Sequence, residues 1–94
     1  MNAVIYVKQD KDISVYDQYN VCAEYAKRYG CSIEYKVLDF DGTQFYEAIN
    51  KVIAEHDISA LIVYDKDMAF KDFEDYLFYH IYLRKLDKKL ISCN

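Results

Sequence analysis

The strongest constraint on the fold is a repeated order: a short apolar run, a polar break, then an amphipathic stretch. Val4 to Val7 is a continuous apolar run, and Ser14 precedes a stretch in which Val15, Tyr19, Cys22, Ala23 and Ala26 recur at helical spacing. Ser14 with Asp17 three residues on predicts a capped helix start, and Gly30 predicts the stop after Tyr29. From Cys31 to Leu38, Ile33, Tyr35 and Val37 alternate with Ser32, Glu34 and Lys36, the pattern of an edge strand. A turn-rich break, Asp39-Phe40-Asp41-Gly42-Thr43, offers Asp41 or Thr43 as cap for a helix from about Gln44 to Glu55. Its inner face would be Phe45, Ala48, Ile49, Val52 and Ile53. Ala60 to Tyr64 is apolar throughout, as a central parallel strand covered on both faces requires. A last helix is expected from about Phe70 to Leu86, and a final strand over Leu90 to Cys93.

Strands alternating with helices predict one α/β domain over residues 1–94: three layers, a four-stranded mostly parallel sheet of order 2-1-3-4, and helices on both faces in the flavodoxin-like style. Sites in such sheets form at the carboxyl ends of the strands, here Lys8 to Asp12, Asp39 to Asp41 and Asp65 to Asp67. Ninety-four residues suffice for one core but not for a catalytic domain plus a DNA-binding module. A net charge of -4 opposes DNA binding, which depends on neutralising phosphates. No apolar run approaches the roughly 20 residues of a membrane span, so no membrane contact and a cytoplasmic location are expected. Three cysteines without CxxC spacing and two histidines do not suggest a zinc site, and the thiols read as buried and free.

The strand Ala3-Val4-Ile5-Tyr6-Val7-Lys8-Gln9-Asp10, followed by Gln18 in the next helix, resembles the opening of the serine recombinase (resolvase/invertase) catalytic domain. In that family the strand ends in Tyr-x-Arg-Val-Ser, the Ser attacks DNA phosphodiesters and the Arg helps to bind phosphate. The resemblance continues through Cys22-Ala23-Glu24-Tyr25-Ala26 and Gly30, through Asp39 after the second strand, and through Ala60 to Asp67, which is similar to the family's strand followed by Asp-Arg-Leu-x-Arg. It implies a family site at Tyr6, Lys8, Asp10, Gln18, Asp67, Met68 and Lys71. At these positions the nucleophile is replaced by Asp10 and the arginines by Lys8, Met68 and Lys71. A further family Arg has no counterpart in Asp41-Gly42-Thr43-Gln44-Phe45. The recombinase body beyond a fourth strand, with its long dimerisation helix and DNA-binding domain, is not expected within these residues.

These replacements remove the chemistry. Asp10 has no hydroxyl to attack with and its carboxylate repels phosphate; Met68 donates nothing; Lys8 and Lys71 keep charge without the bidentate fork of Arg. The resemblance therefore implies a pseudoenzyme with no catalytic residue and no cofactor, linked to DNA recombination on a mobile element. The alternative is metal-dependent phosphodiester or phosphoryl chemistry at the acidic strand ends, with Asp10 and Asp67 as ligands for a hard cation. Asp residues in such loops also serve simply as turns and caps. His56 and His80 lack a nucleophile at triad spacing and are assigned structural or surface roles.

The last helix carries more apolar side chains than one buried stripe needs. Phe70, Phe73, Leu77 and Ile81 follow one face, while Tyr76, Tyr79 and Leu83 drift onto another. An interface built on Phe73, Tyr76, Tyr79, Tyr82 and Leu83 is expected, with a second copy of the chain or a full-length recombinase as partner.

Overall fold

Alternate side chains of the first strand point into two separate cores, and that division organises the molecule. Val4 and Tyr6 face one side of the sheet, and Ala3, Ile5 and Val7 face the other; all five are buried. The computed structural model describes residues 1–94 and orders the elements as β1 (Asn2–Lys8), α1 (Val15–Arg28), β2 (Ser32–Asp39), α2 (Phe45–Ala54), β3 (Ala60–Val63), α3 (Lys66–Ala69), α4 (Phe73–Lys85) and β4 (Lys89–Ser92). The four strands are all parallel, in the order β2-β1-β3-β4. Tyr6 of β1 lies between Val37 of β2 and Val63 of β3, and Val63 pairs onward with Ser92 of β4. Right-handed crossovers then dictate the layers. The helix that moves from β1 to β2 covers one face, and those that move the opposite way cover the other. Accordingly Val15, Cys22 and Ala26 of α1 pack on the first face. Ala48, Ile49 and Val52 of α2 and Leu83 of α4 pack on the second. No helix is long and apolar enough to cross a membrane.

The helix ends show how far local sequence decides structure. Ser14 Oγ accepts the amide of Asp17 at 3.1 Å and starts α1 as expected. At its other end the Cys31 amide reaches back to the Ala26 carbonyl (2.8 Å) and the Gly30 amide to Lys27 (3.3 Å), a Schellman closure that needs the positive φ of 71° at Gly30. The end of α4 repeats the motif with Asp87 in the left-handed position, φ 61°, and Lys88 donating its amide to Leu83. Lys88 then extends its side chain to the other helix on this face. Its Nζ donates to the Val52 carbonyl and, at 2.9 Å, to that of Glu55, so a cation sits on the last turn of α2. Lys88→Met leaves those carbonyls without the ammonium and is expected to cost about 1 kcal/mol in urea unfolding.

Two expectations need correction here. The cap of α2 is neither Asp41 nor Thr43. The N-cap position is Gln44, whose side chain makes no capping bond; its amide goes to Asp39 at the end of β2, while the Asp41 carboxylate is engaged by the Thr43 amide and hydroxyl. The last helix also does not begin near Phe70. Asp65 caps the single turn α3 by accepting the Asp67 amide, Phe70 is extended so that its ring enters the core, and Asp72 caps a new helix by accepting the Asp75 amide. Burying Phe70 is incompatible with one continuous helix, and the two aspartates restart the backbone on either side of it.

Candidate functional site

The carboxyl ends of β1, β2 and β3 bring the residues of the resemblance to one edge of the sheet, and Tyr6, Asp39 and Gln18 hold that edge together. Tyr6 is buried, and its hydroxyl donates to Asp39 Oδ2 at 2.7 Å. Asp39 is also fully buried and accepts three amides besides: Gly42 (2.8 Å) and Thr43 (3.1 Å) at Oδ1, and Gln44 (2.9 Å) at Oδ2. Burial alone would push this carboxyl upward. The hydrogen bonds from Tyr6, Gln44 and Gly42 outweigh it and hold the group below the usual carboxylate range. The Tyr6 phenol is pushed far up, first by burial and then by its bond to Asp39.

Gln18 is buried too: it lies on the inner face of α1 with Val15, Cys22 and Ala26, and only its polar side chain hides the core position. Its Nε2 donates to the carbonyls of Lys8 (2.6 Å) and Ile13 (3.2 Å), and its Oε1 accepts the Lys8 amide at 3.3 Å. One side chain thus satisfies the backbone where β1 stops pairing and ties the loop to α1. Its role is positional.

The side chains that could meet a ligand are Lys8, Asp10, Asp67, Met68 and Lys71. Lys8 is half-buried and its Cε lies 3.7 Å from where a Cβ on Gly42 would stand, so its stem covers the β2–α2 turn. Asp10 accepts the Asp12 amide in a local turn (2.9 Å), and Asp67 lies exposed in the first turn of α3. Met68 lines a cleft with Tyr6, Val7, Lys8, Gln18, Tyr64, Asp65 and Ala69 whose volume is only about 10 Å³. That space is about one water and does not admit a phosphate. Lys71 is exposed beyond α3. The chain's two arginines, Arg28 and Arg84, stand on the last turns of α1 and α4. Helices that cross between parallel strands end at the opposite edge of the sheet, so no guanidinium reaches the strand ends. Nor does any group of three His, Cys, Asp or Glu side chains gather closely enough to hold a metal ion.

The second candidate region is α4. Leu83 is fully buried in the core, and Tyr76 and Tyr79 are half-buried against it. Tyr79 is 5.2 Å from Phe45 and 6.0 Å from Phe70 between ring centroids, and Tyr76 is 5.7 Å from Phe70. Leu83 is therefore wholly internal, which corrects the expected interface at that position, while Tyr76 and Tyr79 turn one side inward and keep the other partly exposed. The exposed face consists of Phe78 (60 %), Ile81 (49 %) and Tyr82 (41 %), with Phe73 and Leu86 exposed at the two ends. Phe73 and Tyr82 keep the surface position expected of them. His80 stacks on Tyr76 at 5.6 Å and its Nδ1 is buried without a partner. No protein-family model, curated protein or solved structure matches the chain.

Proposed function

We propose that this chain is a catalytically inactive resolvase-like domain, a protein-interaction or regulatory module linked to site-specific DNA recombination on a mobile element, acting in the cytoplasm through the outer face of α4. The observation that carries the reading is the contrast between the two regions. At the strand ends, Met68 closes the cleft, the hydroxyl position is held by Asp10 and the carboxylates serve turns and caps. On α4, Phe78, Ile81 and Tyr82 expose adjoining apolar surface with Lys85 beside them. Aromatic residues with a charged rim favour protein contacts over small ligands. A second copy of the chain is the partner tested first, with a full-length recombinase as the heterologous form of the same contact. DNA binding by this domain alone is disfavoured by the net charge of -4 and the acidic loops at the strand ends.

Size-exclusion chromatography with light scattering tests the proposal. The expected mass at high concentration is twice the 11.2 kDa of one chain. Phe78→Asp combined with Tyr82→Asp is expected to weaken association roughly a hundredfold, with the unfolding midpoint of the monomer little changed because both positions are exposed. A strict monomer at every concentration overturns self-association through α4.

A further inference from the structure

Two cysteines 71 positions apart in sequence meet on the α1 side of the sheet. Cys22, in the middle of α1, is fully buried, and Cys93, just past β4, is half-buried; their Sγ atoms are 3.8 Å apart. Cys93 is not on a loose tail. Its amide donates to the Val63 carbonyl at 3.0 Å, and the next residue, Asn94, donates its side-chain amide to the Tyr64 carbonyl at 2.8 Å. The two thiols differ in access. Cys93 borders an open cleft of about 390 Å³ lined by Asn20, Val21, Glu24, Tyr25 and Arg28, whereas Cys22 has no exposed surface.

We propose that Cys22 and Cys93 form a dithiol–disulfide site in which Cys93, reached through this cleft, exchanges with a low-molecular-weight disulfide and Cys22 resolves the product into an internal bond. In the first step the Cys93 thiolate attacks one sulfur of the small disulfide, forming a mixed disulfide and releasing one small thiolate. In the second, Cys22 gives up its proton and attacks Cys93 Sγ, which expels the other small thiolate. The two cysteines lose two electrons, the small disulfide gains them, and the two cysteine protons end on the two released thiols. The division of roles agrees with the direction in which each thiol's acidity is moved. The contact with Cys93, followed by burial, pushes Cys22 up and keeps it protonated, while the same contact holds Cys93 below the ordinary thiol range. A disulfide of about 2.05 Å needs the sulfurs to close by less than a bond length from where they lie. It would fasten edge strand β4 to α1. Cys31, half-buried beside Met1 with its Sγ 3.9 Å from the thioether, has no thiol neighbour and serves as the internal control.

The folded protein is incubated with oxidised glutathione, quenched in acid, alkylated and peptide-mapped. The expected result is the loss of two free thiols, a mass lower by about 2 Da, one linked peptide pair containing Cys22 and Cys93, and an unfolding midpoint higher by about 10 °C or more because a long loop is closed. Cys31→Ser is expected to behave like the wild type and Cys93→Ser to form no internal bond. Three free thiols after treatment, a linkage through Cys31, or an unresolved glutathione adduct on Cys93 would each overturn the proposal; the mapping uses the wild-type chain, so none of these outcomes depends on a variant folding.

Discussion

Asp39→Ala is expected to cost about 3–5 kcal/mol, a large share of the roughly 5–14 kcal/mol available to a domain of this size. The reason is the number of donors that converge on one carboxylate. Tyr6 Oη and the amides of Gly42, Thr43 and Gln44 all lose their acceptor together, and the phenol is left in a fully buried place. Urea unfolding monitored by circular dichroism checks this; a cost below about 1 kcal/mol would mean that water satisfies the turn equally well. The pH dependence gives an independent test. The folded Asp39 carboxyl ionises below its ordinary value, so its stabilisation is fully present above the unfolded pKa of about 3.9 and is lost as pH falls through the lower folded one. Asp39→Asn should flatten that acid limb. Tyr6 behaves in the opposite sense: its folded pKa is raised, so its contribution is complete below the unfolded value of about 10 and declines as pH rises above it. Tyr6→Phe removes this alkaline component and is expected to cost about 1.5–2 kcal/mol, as the loss of one hydrogen bond to a charged group.

The legible parts of the fold are those whose cause is local or periodic. Central strands buried on both faces must be apolar throughout, so Val4 to Val7 and Ala60 to Val63 declare themselves, and the order β2-β1-β3-β4 follows from the alternation of elements. Ser14 with Asp17 and Gly30 after Tyr29 state the limits of α1 within a few residues. The features that escape the sequence depend on partners brought from a distance. Asp39 accepts the amide of Gln44, the residue that opens α2, from five positions back and is held by a tyrosine 33 positions away, a pairing that arises only once β1 and β2 lie side by side. Cys22 and Cys93 carry no motif, because only the folded sheet brings the residue that follows β4 against α1. The recombinase-like positions divide in the same way. Tyr6 and Gln18 are internal braces, whereas Lys8, Asp10, Asp67 and Met68 surround a closed cleft or lie in local turns.

Helix α4 makes the sharpest case, because its sequence withholds which face is inner. Phe73, Tyr76, Leu77, Phe78, Tyr79, Ile81, Tyr82 and Leu83 surround the helix axis, so a period of 3.6 residues selects no stripe. Packing decides. Tyr76, Tyr79 and Leu83 follow one another at i, i+3 and i+7 and face Phe45, Phe70 and the β3–β4 half of the sheet. Leu83→Ala is accordingly expected to cost about 3 kcal/mol by loss of apolar contact and opening of a cavity, lowering the unfolding midpoint by about 15 °C in a chain of this length. Ile81→Ala and Phe78→Ala, on the exposed face, should change the stability of the monomer by no more than about 0.5 kcal/mol. Thermal unfolding of the three variants at dilute concentration separates the alternatives, since a costly Ile81→Ala with a neutral Leu83→Ala would place the opposite face inward. That ordering bears directly on partner binding. Side chains committed to the core cannot be offered to a partner, so the same measurement that finds Leu83 costly leaves Phe78, Ile81 and Tyr82 as the surface that α4 presents.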